Sequence, residues 1–242
     1  KISFVLMLAA MYSAPYSLEC EGNFLQRAFN SVWGRQIIIM FAVYVHLGFL
    51  VLQREWGSAV LYFLIYIVMQ YAFGEKYLIL ILNTLFAACG GVLGYHTMSH
   101  IQERVAVWQN PFADASGDGY QITQSLYAMS SGGFVGSGLG LGHPEIIPVV
   151  KSAFIFSAIY EELGMVGAVG VILLYFLLVY RSAKISLRAK NHFYKALALG
   201  IGAMFGFQTF IIIGGVTKFI PMTGITLPFI SAGGSSLTAS FA

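Results

Sequence analysis

Long apolar runs separated by polar breaks set the pattern of this chain. They fall at about Ile2–Tyr16, Ile37–Leu52, Ser58–Phe73, Tyr77–Met98, Phe154–Tyr180 and Phe193–Gly215, and another starts at Ser235. A helix needs about 20 apolar residues to cross the hydrocarbon core. The pattern predicts six spans and part of a seventh, the first of them beginning at the chain end. The expected class is all-α: a polytopic membrane helix bundle, a single integral-membrane domain over 1–242, with a large structured extracytoplasmic loop at 99–152. No soluble domain or internal repeat is visible.

The polar breaks orient the spans. Arg181, Lys184, Arg188 and Lys190 lie between two spans with no acidic residue among them, which places that loop in the cytoplasm by the positive-inside rule. Counting back puts Ser99–Ser152 outside, Gly74–Lys76 inside, Gln53–Gly57 outside and Ser17–Gln36, with Arg27 and Arg35, inside. Counting forward puts Pro221–Ser236 outside. Ser99–Ser152 is too long for a simple connection and too aromatic to be disordered, with Trp108, Phe112, Tyr120, Tyr127 and Phe134. Within it, Tyr120–Met129 is predicted to form a short helix.

Composition agrees with the spans. The sequence is 58% hydrophobic and 10% charged, against about 25% charged in soluble domains, and its mean hydropathy is +0.77. The bilayer must be its solvent. A net charge of +3 carried in short loops speaks for membrane topology and against nucleic acid as a partner. Cys20 and Cys89 are far apart in no metal-ligand pattern. The predicted topology puts one in the cytoplasm and one in a helix, so no disulfide is expected.

Two stretches could carry chemistry. Pro221–Ser236 holds two prolines, three glycines and five hydroxyl side chains. Such backbone is tolerated at membrane depth only where protein buries it or it lines a watery cavity. The second is the run Gly132-Gly133-Phe134-Val135-Gly136-Ser137-Gly138-Leu139-Gly140. It either approaches a phosphate or sugar with exposed N–H groups or makes a tight loop packed at the membrane surface. It is no Walker loop, because GxxxxGK[ST] is absent. Of the histidines, His96 and His100 stand at i, i+4 on a predicted helix end; an interfacial pair is favoured over a metal site. No metal ligands are assigned.

Several motifs occur in one order. They are Leu52-Gln53-Arg54-Glu55-Trp56-Gly57, Gly119-Tyr120-Gln121-Ile122-Thr123-Gln124-Ser125-Leu126, Ser131-Gly132-Gly133, Gly138-Leu139-Gly140, Glu161-Glu162-Leu163-Gly164-Met165-Val166-Gly167 and the Pro221–Ser236 stretch. Together they resemble the SEDS proteins, the FtsW, RodA and SpoVE family that builds bacterial peptidoglycan. Lys1 matches the lysine after the family's Gln-Pro-Ser-Glu motif. The resemblance therefore implies a C-terminal two-thirds fragment, with about three spans preceding it and the last span truncated.

The resemblance implies a multi-pass protein of the bacterial plasma membrane. Its activity would be an inverting peptidoglycan glycosyltransferase that polymerises lipid II, the undecaprenyl-pyrophosphate disaccharide-peptide. Its partners would be a class B penicillin-binding protein and other divisome or elongasome membrane proteins. No cofactor is fixed, and a divalent cation stays open. Substrate contacts are expected from Gln121, Gln124, Ser131, Gly132, Thr223, Ser231 and Ser235. Arg104, Lys151 and Lys218 are candidates to face the leaving pyrophosphate, where fixed positive charge helps; interfacial snorkelling is the alternative for each.

One departure weighs most. The family's general base is an Asp just before Phe-Ile-Phe, and here Phe154-Ile155-Phe156 follows Ala153. Alanine cannot take the proton that makes the acceptor hydroxyl a competent nucleophile. If the helix began near Ala153, then Ala153, Ser157 and Glu161 would share one face. That makes Glu161 a candidate second carboxylate, although it would sit roughly 12 Å along the axis; an anchor for neighbouring backbone is the alternative. Ala232, where the family carries Tyr, is a second departure. Beside the polymerase reading stand an inactive scaffold of the division or elongation machinery and a lipid II flippase.

Overall fold

The computed structural model describes residues 1–14 and 31–241, apart from the side chains of Val32, Ser235, Ser236 and Ala239. Cys20, Arg27 and most of the Ser17–Gln36 loop lie outside the described residues, as does the side chain of Ser235. The helices are α1 (Ile2–Ser13), α2 (Val32–Leu52), α3 (Trp56–Phe73), α4 (Tyr77–Thr97), α5 (Ser99–Gln109), α6 (Tyr120–Gly132), α7 (Ile155–Arg188), α8 (His192–Val216) and α9 (Gly234–Phe241). Two 3-10 turns, Pro111–Asp114 and Pro144–Ile146, complete the regular structure, with no strand among the described residues. Five helices, α2, α3, α4, α7 and α8, are long and apolar enough to cross a membrane. The protein is thus all-helical and multi-pass. The first expected span is α1, 12 residues in its described part.

The described residues pack as two compact units, one made of 1–89 and 179–204, the other of 90–178 and 205–242. In the first, Phe4, Val5, Leu8 and Ala9 of α1 are buried with Ile39 and Val43 of α2 and with Leu61, Ile65, Tyr66 and Met69 of α3. Several buried polar groups here are hydrogen-bonded to one another, as a low-dielectric interior favours. Tyr12 Oη donates to Gln70 Oε1 at 2.5 Å, Gln70 Nε2 donates to Gln36 Oε1 at 2.7 Å, and Asn83 Nδ2 donates to Tyr66 Oη at 3.1 Å. α2 starts earlier than its apolar run, because Ser31 caps it by accepting the Gly34 N–H at 2.9 Å. Arg35, expected in a loop, is instead buried in α2, donating to Ala14 O at 2.9 Å and pairing with Glu75 at 3.5 Å.

The second unit departs further from the pattern. Ser99–Gln109 is a helix rather than loop, and Tyr120–Gly132 extends the short helix expected at Tyr120–Met129. Met98, at φ −121° and ψ 109°, separates α4 from α5, so His96 and His100 sit on different helices and the i, i+4 pairing is lost. α7 is not one smooth rod. Gly164 breaks it at φ 69°, ψ −169°, a conformation open essentially to glycine alone.

Candidate functional site

The glycine run fills the break in α7. Ser137 N–H donates to Glu161 O at 2.9 Å and Gly138 N–H to Glu162 O at 3.0 Å, while the freed N–H groups of Met165 and Val166 reach Gly133 O and Phe134 O at 3.1 and 3.3 Å. The backbones touch. A Cβ on Gly136 would lie 2.2 Å from Glu162 O, and one on Gly164 would lie 2.3 Å from Gly136 N. Gly132 likewise abuts Tyr160 O, at 2.3 Å from an added Cβ. These N–H groups are spent on α7, so this part of the run is a structural clasp.

Glu161 belongs to the same clasp. Its side chain is 7% exposed, its Oε1 accepts the His143 N–H at 2.9 Å, and its carbonyl also accepts from Ser137 Oγ at 2.9 Å. Its Oε2 is buried with no hydrogen-bond partner among the described residues. The shared face expected for Ala153, Ser157 and Glu161 does not form, because α7 begins at Ile155 and Ala153 lies in the preceding turn. Ser157 instead meets Ser125 Oγ of α6 at 2.7 Å. Nearby, Glu145 is held below the usual carboxylate range by its own backbone N–H and by His143.

Ala153 lines a cavity of about 350 Å³ together with Glu103, Arg104, Asp118, Gln121, Ser152 and Gly224, among others. That volume is in the range of small-ligand sites. α5 supplies Glu103 and Arg104 and is tied to the 218–222 segment by two hydrogen bonds one turn apart. Arg104 Nη1 donates to Met222 O at 3.0 Å, and Trp108 Nε1 donates to Lys218 O at 3.1 Å. The first uses one of five guanidinium donors. Asp118 precedes α6 in a turn pinned by its own N–H on Asp114 Oδ2 at 3.1 Å. The far wall is sewn to the Pro221–Ser236 stretch: Ser231 Oγ donates to Ser152 O at 2.5 Å and accepts the Leu227 N–H at 2.8 Å, and Ala232 N–H donates to Lys151 O at 2.7 Å. Ser99–Ser152 and Pro221–Ser236 therefore both line one cavity, whose wall mixes these polar groups with the apolar side chains of Val107, Ile122, Val149 and Met222. Val149 on its wall sits at φ 57°, an outlier for a β-branched residue and a mark of strain of the kind that gathers at functional sites.

Of the candidates named from sequence, the cavity gathers Ala153, Arg104 and Gln121. Gln124, Ser131, Gly132, Lys151, Lys218, Thr223, Ser231 and Glu161 are not on its wall, though Ser231 fixes Ser152, Lys151 and Lys218 lend backbone carbonyls, and Thr223 lies between the lining residues Met222 and Gly224. Ser131 Oγ is turned back onto Ala128 O at 2.8 Å. Glu103, Asp118 and Ser152 were missed, although Asp118 directly precedes the Gly119–Leu126 motif and Ser152 adjoins Ala153. Among the described residues no group of three or more His, Cys, Asp or Glu could hold a metal ion.

Because Glu161 supports the clasp, Glu161→Ala is expected to lower stability by about 1–2 kcal/mol, by stranding the His143 N–H. Glu161→Gln, which keeps an acceptor, is expected to lose less. Thermal unfolding of both variants in detergent checks this; equal losses would show that the acceptor for the His143 N–H is not what Glu161 contributes.

Comparison with known proteins completes the picture. The chain is 36% identical over 197 residues to the peptidoglycan glycosyltransferase RodA of Mycobacterium tuberculosis H37Rv, covering 81% of this chain and 42% of that protein. It is 38% identical over 241 residues to the probable peptidoglycan glycosyltransferase FtsW of Trichlorobacter lovleyi, covering 98% of this chain and 61% of that one. It thus spans about half the length of such relatives. A chain in the solved structure of a peptidoglycan synthase complex that coordinates polymerisation and crosslinking shares its fold, with TM-score 0.66 and 23% identity over 99% of this chain and 76% of the other. The family of FtsW, RodA and SpoVE, described as cell cycle proteins, matches residues 1–242, and the chain belongs to it.

Proposed function

We propose that this chain forms the catalytic body of a peptidoglycan glycosyltransferase that polymerises lipid II, and that the Ala153 cavity is where the acceptor sugar and the leaving pyrophosphate meet. The observation that carries the reading is the composition of one cavity wall. The position of the family's base adjoins a guanidinium (Arg104), an amide (Gln121) and two carboxylates (Glu103 and Asp118). Arg104 suits charge developing on a pyrophosphate, since a preorganised cation in a partly dry site stabilises it without reorganisation. Gln121 and Ser152 offer the donors and acceptors that orient a sugar. Ala153 leaves the base position empty of a carboxylate, so the chain as it stands polymerises slowly. A class B penicillin-binding protein as crosslinking partner is supported by the synthase complex whose fold the chain shares.

Ala153 also favours a second reading, a catalytically silent scaffold that retains the partner. Polymerisation of purified lipid II by the protein with its proposed transpeptidase partner separates the two, with the parent compared against Ala153→Asp. Activity that appears only with Asp supports the polymerase cavity; inactivity in both, with partner binding intact, supports the scaffold.

The reading also requires the cavity to open on the outer side. Cysteines at Leu139 and Lys190, both exposed, in a background with Cys20 and Cys89 replaced, are expected to react with an impermeant maleimide from opposite sides of the membrane. Labelling of both from one side contradicts the topology.

A further inference from the structure

The last turns of α7 hold a second concavity. Arg181, Lys184, Ile185 and Arg188 are spaced i, i+3, i+4 and i+7 and so share one helix face. With Ala189 they enclose a groove of about 390 Å³. The other face of the same turns is locked onto α8. Ser182 Oγ donates to Ala198 O, Ser186 Oγ donates to Lys195 O at 2.8 Å, and a Cβ on Gly202 would lie 2.7 Å from Ser182 Oγ. The cations are thereby held outward. Lys184 Nζ stands 5.9 Å from the Tyr180 ring centroid, which steadies the ammonium by its attraction to the ring face.

Among the described residues no carboxylate pairs with these charges. The sequence carries no Asp or Glu after Glu162, and the ion pairs among the described residues involve none of the three. Positive-inside topology and the helix dipole account for basic residues here, but neither requires three of them to converge on one groove. The apolar surroundings point the same way: Ile185 forms part of the wall at 59% exposure, and Leu187 and Tyr180 beside it are 80% and 52% exposed. A soluble anion has no use for that surface, whereas acyl chains do.

We propose that the Arg181–Lys184–Arg188 groove binds the phosphate headgroup of an anionic phospholipid, whose acyl chains lie against Ile185 and the exposed aliphatic side chains around it. Its occupant would be a lipid of the leaflet into which the α7–α8 turn emerges. Charge and position decide this: each basic residue near such a surface adds about fivefold in affinity, and a groove at the end of a span meets headgroups first. The site is separate from the Ala153 cavity and stands whether or not that cavity polymerises lipid II.

The test is native mass spectrometry of the delipidated full protein titrated with dioleoyl-phosphatidylglycerol, with dioleoyl-phosphatidylcholine and with soluble sn-glycerol 1-phosphate. Selective retention of phosphatidylglycerol is expected. R181Q/K184Q/R188Q should weaken it on the order of a hundredfold, at about fivefold per cation, while K184R keeps it. The relocation variant K184Q/Q109K leaves net charge unchanged but puts the new cation on α5, outside the groove lining, and is expected to lose about fivefold. Parent-like binding by the relocation variant would show that net charge alone attracts the lipid and would overturn the site. Equal binding of phosphatidylcholine, or of the soluble phosphate, would overturn the lipid assignment.

Discussion

Ala153→Asp is expected to raise lipid II polymerisation by roughly 10²–10⁴-fold, the usual contribution of a positioned general base. The residue has the place for it. It lies in the turn before α7, on the wall of the cavity that also holds Arg104 and Gln121. It is 7% exposed, so a carboxylate there would be partly shielded from water and held against the cavity. The measurement is the initial rate of glycan formation by the parent and by Ala153→Asp, each with the proposed transpeptidase partner. The geometry also decides where to look if the parent already works at full rate. Glu161 is engaged with the His143 N–H, whereas Asp118 and Glu103 face the cavity itself. Asp118→Asn and Glu103→Gln would then be expected to abolish what Glu161→Gln leaves intact.

The second large effect concerns the clasp. Gly164→Ala and Gly136→Ala are each expected to cost about 2–6 kcal/mol, combining the strain of a glycine-only backbone conformation with overpacking. Gly164 and Gly136 have φ of 69° and 91°, and the atoms a new Cβ would strike are backbone on both sides, which cannot swing away. Set against a typical total of 5–15 kcal/mol, that threatens folding outright. Gly140 provides the control. It too has positive φ, at 71°, but nothing lies within 4 Å of its added Cβ, so Gly140→Ala is expected to lose only the 1–2 kcal/mol of the left-handed conformation. Thermal unfolding of the three variants in one detergent checks the order.

The spans were legible in the sequence because apolar content is a one-dimensional signal, and α2, α3, α4, α7 and α8 all fall on runs visible in it. α5 was not, because Ser99–Gln109 is held by contacts far along the chain, Arg104 to Met222 and Trp108 to Lys218, and such partners leave no local trace. The break at Gly164 was hidden for the same reason: within an apolar run a glycine looks neutral until Gly136 is seen pressed against it. At the site, the convergence of Pro221–Ser236 with Ser152 and Ala153 could be argued from backbone that needs partners at membrane depth. That Glu103 and Asp118 would stand on the cavity wall while Glu161 turned away could not, since it depends on α7 starting two residues after Ala153 and on a glycine run that claims Glu161 for its own support. Val149 at positive φ is beyond sequence reading altogether.

The central claim is that the Ala153 cavity receives the lipid-linked sugar. Its most direct test is photocrosslinking of lipid II to the protein carrying a benzophenone side chain in place of Gln121, which lines the cavity, or of Tyr127, which is 56% exposed on α6 and is not on the cavity wall. The account predicts strong adducts at position 121, competed by unlabelled lipid II, and background at position 127. Equal labelling at both positions, or labelling at 127 alone, would contradict it.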